Sequence, residues 1–135
     1  RPDGKSQVTI QYEKGKPVAW AKPTTMLEKN GLKIGVVGLA TKETSEAAHK
    51  KYVGNLEFKD SGATAQKYSE ELKKQGANIV IALGHLPALP STDGYNYGEL
   101  LDTAYVAKGV DAFVGGHSHL NLQGFAGRFW QAHGE

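Results

Sequence analysis

Three histidines occupy positions from which they could do chemistry. His85 follows the apolar run 77–83 (ANIVIAL) after one glycine, and His117 and His119 follow a second apolar run in Gly115-Gly116-His117-Ser118-His119. Neutral imidazole is a good ligand for zinc, iron and nickel and a looser one for manganese. Two rings separated by one residue share a face on an extended segment. On a tight loop they diverge and can reach two neighbouring ions. Gly115 and Gly116 are expected to let the backbone turn sharply beside an ion, and Gly84 to do the same before His85. The residue types leave a second reading open, in which these are loop histidines satisfied by backbone carbonyls.

The elements that must carry them can be read from periodicity. Residues 7–12 (QVTIQY) alternate apolar and polar side chains and predict a half-buried strand. A turn at 14–17 follows, then candidate strands at 18–20 and 24–28, and a tight turn at Asn30-Gly31. These make an antiparallel, hairpin-like lead-in over residues 1–31. Residues 32–40 (LKIGVVGLA) predict a buried strand. One or two helical turns at 44–51 and an extended piece at 52–58 come next. Asp60 stands where a helix N-cap belongs, Ala65, Tyr68 and Leu72 recur at helical spacing, and Gly76 closes that helix. Strand 77–83, helix 99–108 with Leu100, Leu101, Ala104 and Tyr105 inward, strand 110–114 and a single final strand over 124–132 complete the reading.

Strand, helix, strand, helix, strand across 32–114 implies two βαβ units and therefore parallel strands. Residues that follow such strands line one edge of the sheet, where ligands of open α/β folds bind. The fold class expected is α/β, with a mixed sheet and three histidines gathered at one edge.

Composition excludes several classes. With no cysteine, disulfides and thiolate ligands are absent. A formal charge of +2 is too small to argue for a nucleic-acid polymer as partner, and Lys14, Lys16 and Lys22 read as solvated surface. No apolar run approaches the roughly 20 residues of a membrane span. The sequence starts without Met and stops at Gly134-Glu135, so a single truncated domain over 1–135 is expected, with 32–135 as its metal-ligand half.

Three stretches carry a family resemblance. Residues 30–44 (NGLKIGVVGLATKET) resemble the segment that opens the second half of the catalytic domain in calcineurin-like metallophosphoesterases of the 5′-nucleotidase, UshA-like group. Residues 76–86 (GANIVIALGHL) resemble that group's strand ending in a metal-binding histidine, and 109–119 (GVDAFVGGHSH) its last metal motif. Residues 54–60 and Gln131-Ala132 fit more weakly, and the likeness covers about 17–135. The resemblance implies part of an αββα sandwich. It implies that His85 and His117 ligate one metal and that His119 reaches towards a second, the pair being Zn, Mn or Fe. It also implies a nucleotide or other phosphate ester as substrate of the parent protein, the N-terminal half of the domain as partner, and a periplasmic, cell-surface or secreted location.

The family's Asp-x-His, bridging Asp and Gly-Asn-His lie upstream of the segment matching Leu32 and have no counterpart here, and the family's general-acid histidine is missing too. Gly54-Asn55 is followed by Leu56 and does not replace them. No catalytic residue is therefore assigned. Two divalent ions about 3.5–4 Å apart need anionic ligands against their mutual repulsion. The chain alone is expected to bind at most one metal weakly and to be inactive. The alternative is a non-catalytic metal-binding or surface-interaction module.

Other polar and aromatic residues have plainer roles. His49 reads as surface and His133 as structural or exposed. Asp93, Asn96 and Glu99 read as a solvated loop leading into a helix, and Asp111 as a turn residue. Ser118 lacks the nucleophile elbow Gly-x-Ser-x-Gly. Phe125, Phe129 and Trp130 read as core.

Overall fold

The structure, a computed structural model, describes residues 12, 13, 16–92, 95–126 and 129–133. Along the chain these form β1 (Tyr12–Glu13), β2 (Lys16–Pro17), β3 (Thr24–Lys29), β4 (Leu32–Ala40), α1 (Thr44–Ala47), α2 (Lys50–Val53), β5 (Leu56–Glu57) and α3 (Ser61–Lys74). They continue as β6 (Ile79–His85), β7 (Leu89–Pro90), β8 (Asn96–Tyr97), α4 (Glu99–Val106), β9 (Ala112–Gly115), β10 (Leu122–Ala126) and β11 (Phe129–His133). A six-stranded sheet in the order β10-β11-β9-β6-β4-β3 dominates. Strands β4, β6, β9 and β11 are parallel neighbours, whereas β3 and β10 pair antiparallel at the two edges. The mixed α/β sheet with parallel βαβ units expected from the sequence is the one observed.

The expected N-cap closes α3 from its start, since Asp60 accepts a hydrogen bond from the Ala63 N–H at 2.9 Å. Gly76, at φ +95°, ends the helix in the left-handed region. Ala65, Tyr68 and Leu72 face the sheet and are buried with Val37, Leu39, Val80, Leu86, Leu100, Val110 and Phe113. Each large apolar side chain so buried stabilises the fold by about 1.5–3 kcal/mol. The close approach of α3 to β4 depends on Gly35, where a Cβ would lie 2.8 Å from Leu72 Cδ1. Asn30 and Gly31, at φ +52° and +77°, make the tight turn that joins β3 to β4.

Helices α3 and α4 pack on one face of the sheet. Val80 and Ala82 of β6 point under them and are buried. Ile79, Ile81, Leu83 and His85 alternate to the opposite face, which is only half covered.

Several local expectations change. Residues 18–20 form a turn, Ala21 N–H donating to Val18 C=O, because Val18 alone of the three is buried. Of the segment 52–58 only Leu56–Glu57 is extended, and α4 stops at Val106, two residues before the expected end. Strand β9 starts at Ala112, later than the apolar run, because Val110 is spent in the core ahead of the ladder. The final segment is two antiparallel strands, Leu122–Ala126 and Phe129–His133, with Phe125 opposite Trp130, and not the single strand expected. Of the expected strand over 7–12 only Tyr12, in β1, lies within the described residues.

Candidate metal centre

The register of the parallel strands sets the site. Ala40, the last residue of β4, lies level with His85 at the end of β6, and Leu83 lies level with Val114 of β9. The loop after β9 therefore rises beside His85. The two rings meet edge to face, with centroids 4.8 Å apart and planes at 84°. His85 Nε2 and His117 Nδ1 are 2.9 Å apart. On the far side of the second ring, His117 Nε2 faces Glu43 Oε2 at 3.3 Å. These residues, with Thr41, Thr44, Ala47 and Ala48, line an open cleft of about 340 Å³.

The loop that carries His117 is held tightly. The Ala88 N–H donates to Ser118 Oγ at 3.0 Å, and the same hydroxyl donates to the Ala88 carbonyl at 2.6 Å. The turn itself is not taken by the glycines. His117 and His119 stand at φ +91° and +55°, whereas neither Gly115 nor Gly116 has a positive φ. Such a conformation costs a non-glycine residue about 1–3 kcal/mol and persists only where the surroundings enforce it. Gly84 acts through space rather than conformation, because a Cβ there would lie 2.9 Å from Leu86 Cγ and 3.1 Å from Leu39 Cβ.

Glu43 is fixed from behind. Its N–H donates to Thr41 Oγ1 at 3.2 Å, and the buried Thr41 hydroxyl donates to Glu99 Oε2 at 2.6 Å. The Ser61 hydroxyl donates to Glu99 Oε1, and the Lys42 N–H approaches the same oxygen at 3.4 Å. Glu99 thus ties the end of β4 to the starts of α3 and α4. Beside it, Lys42 Nζ pairs with Asp60 Oδ2 at 2.7 Å. The Ala63 N–H and then the Lys42 ammonium hold the Asp60 carboxyl below its ordinary range, and the hydrogen bond to Asp60 raises Lys42.

The donor set fits part of a metal site. Two metal–nitrogen bonds of about 2.0–2.1 Å meeting at right to tetrahedral angles span roughly 2.9–3.4 Å between the nitrogens. The facing nitrogens of His85 and His117 are at the lower end of that span. Glu43, on the outer nitrogen of His117, occupies the place of the carboxylate that commonly orients a ligating histidine. His119 is exposed. Among the described residues no group of three His, Cys, Asp or Glu side chains is arranged to hold an ion. The structure therefore brings together two of the three expected histidines.

The remaining candidates have structural partners. His49 caps α2, its Nδ1 accepting from the Lys51 N–H at 3.2 Å. Asn96 lies in β8, and the backbone of His133 pairs with that of Gly115. Asp93 lies outside the described residues. Asp111 accepts from the Val80 N–H at 2.7 Å and pins the start of β9 to β6. Sequence reasoning missed Glu43 and Thr41. Both lie in the stretch 30–44, but only tertiary contact reveals what they touch.

No family model matches the chain. It is 38% identical over 109 residues to a 5′-nucleotidase of Diplobatis ommata, a match covering 78% of this chain and 16% of that protein. It is 32% identical over 119 residues to a cell wall protein of Listeria monocytogenes, covering 78% and 15% respectively. The solved structure of a 5′-nucleotidase precursor from Thermus thermophilus superposes with a TM-score of 0.61 at 34% identity, over 78% of this chain and 18% of that one. The fold and the strand-end site, taken with these likenesses, define a phosphoesterase-type α/β domain. The chain belongs to the 5′-nucleotidase-like group of metallophosphoesterases and corresponds to the C-terminal part of their fold. It spans less than a fifth of the length of these three relatives.

Proposed function

We propose that this chain contributes the histidine half of a divalent-metal site that hydrolyses phosphate esters, 5′-nucleotides foremost, in nucleotide catabolism. The observation that carries the reading is the 2.9 Å approach of His85 Nε2 to His117 Nδ1 at the ends of neighbouring parallel strands. These two nitrogens would hold one ion, with Zn, Mn or Fe all compatible, and His119 would reach towards a second. The other ligands and the general acid would come from the N-terminal half of the domain. When bound, such ions polarise a phosphoryl oxygen and lower the pKa of water. The chain's own residues keep the two imidazoles facing one gap and hold them there through Glu43 and Ser118. The cell-wall relative supports a surface, periplasmic or secreted setting.

By itself the chain is expected to be inactive. Two dications 4 Å apart repel by on the order of 15 kcal/mol at an effective dielectric of 20, and neutral imidazoles supply no charge to offset this. Calorimetric titration of the full chain with Mn²⁺ or Zn²⁺ should show one weak site. His85→Ala and His117→Ala should each weaken it at least about tenfold. AMP and a chromogenic phosphodiester should not turn over. Unchanged affinity in both folded variants would overturn the metal assignment. Turnover at an ordinary enzymatic rate would overturn the inactivity. The lack in this sequence of the family's Asp-x-His and Gly-Asn-His motifs favours a second reading, a non-catalytic surface module, which a folded chain without any metal affinity would support.

A further inference from the structure

We propose that Glu43 is a positioning residue that sets the tautomer of His117, and that Thr41 and Glu99 hold Glu43 in place to do so. The proposal rests on the metal reading above for its purpose, but not for its geometry. An ionised carboxylate only accepts hydrogen bonds. The carboxylate charge favours a proton on the ring nitrogen nearest to it, which places the His117 proton on Nε2, 3.3 Å from Glu43 Oε2. Nδ1 then keeps its lone pair and points it across the 2.9 Å gap at His85. Of the two neutral tautomers this is the one whose inward nitrogen can ligate a cation. In the metal-free chain His85 Nε2 is accordingly the donor across the gap.

The side chain of Glu43 is more than half exposed and would wander without an anchor. Its anchor is the backbone. The N–H of Glu43 donates to Thr41 Oγ1, and the orientation of that hydroxyl is dictated by Glu99, which accepts its hydrogen bond at 2.6 Å. Glu99 is itself fixed by the Ser61 hydroxyl at the start of α3. The relay runs from two helix starts to one imidazole nitrogen.

Long-range ¹H–¹⁵N spectra of the imidazoles in the metal-free full chain, near pH 8, read the tautomer directly. Wild type should show His117 protonated on Nε2. Glu43→Ala should move it towards a mixture of tautomers and weaken Mn²⁺ binding about 10–100-fold. Glu43→Gln, which still offers a carbonyl oxygen, should restore much of both. Thr41→Val should reproduce part of the Glu43→Ala effect, and Thr41→Ser, which keeps the hydroxyl, should not. A wild-type chain with His117 protonated on Nδ1, or a tautomer unmoved by Glu43→Ala, overturns the proposal. A chain with the Nε2 tautomer but no affinity for Mn²⁺ or Zn²⁺ instead overturns the metal reading and leaves the positioning role standing.

Discussion

Ser118 and Ala88 are joined twice, the serine hydroxyl accepting from the Ala88 N–H at 3.0 Å and donating to its carbonyl at 2.6 Å. A single side chain thus closes the loop after β9 onto the segment after β6. The serine that lies between two candidate ligands is a clasp, not a nucleophile. Ala88 is buried, so removing the hydroxyl withdraws a partner from two buried backbone groups. Ser118→Ala should lower stability by about 1–3 kcal/mol. Urea unfolding should show a lower midpoint with an unchanged slope, and divalent-metal affinity should fall because His117 loses its support. Metal affinity at the wild-type level in Ser118→Ala would mean that the left-handed turn at His117 holds without the clasp.

Gly84→Ala tests whether the strand end beneath His85 depends on close packing. The new methyl would meet Leu86 Cγ at 2.9 Å and Leu39 Cβ at 3.1 Å, and the latter belongs to a neighbouring strand that cannot simply rotate away. Overpacking of this kind costs about 1–3 kcal/mol. The thermal midpoint should drop, and the His85 imidazole resonances should shift. A variant as stable as wild type would show that β6 can slide outward at no cost.

The pattern of legibility follows from the range of the interactions. Strand β4 and helix α3 could be bounded from sequence because their signals are local: an apolar run rich in β-branched residues, an N-cap at Asp60, a glycine at 76. Topology followed from the order of elements. The convergence of His85 and His117 was readable because parallel strands place their ends along one edge. Glu43 was not, because its role exists only across the gap between the β4 end and the β9 loop. Glu99 is illegible for a related reason. A glutamate in the first turn of a helix reads as solvated, and only the buried hydroxyls of Thr41 and Ser61 show otherwise. The left-handed turn was placed on glycines by their intrinsic freedom, whereas tertiary bonding forces it onto His117.

Asp111 offers a sharper contrast between a part-buried hydrogen bond and an exposed ion pair. Its carboxylate takes the N–H of the fully buried Val80 at 2.7 Å and the exposed Lys73 ammonium at 3.1 Å. Asp111→Ala should destabilise by about 1–3 kcal/mol through the stranded Val80 N–H. Lys73→Met should cost no more than about 1 kcal/mol. Paired denaturation curves would decide, and equal losses in the two variants would refute the ranking.

Asp60 predicts a pH dependence of stability. The Ala63 N–H, then Lys42, depress its carboxyl below the ordinary value of 3.8. A carboxylate depressed in the folded state contributes stability that is fully present above its unfolded pKa and is lost as pH falls through its folded one. Lys42 carries the opposite sign. Raised above 10.5, it contributes below that value and loses its contribution as pH climbs through the folded pKa. Both side chains are more than half exposed, so salt screens the pair and its share stays below about 1 kcal/mol. The N-cap bond is the larger part. Asp60→Ala should cost about 0.5–2 kcal/mol at pH 7, whereas Asp60→Asn keeps the cap and should cost less. Urea unfolding at pH 7 and pH 2.5 checks the sign: the deficit of Asp60→Ala should shrink in acid as the wild-type carboxylate is protonated. A deficit that grew in acid would contradict the assignment of Asp60 as an ionised cap.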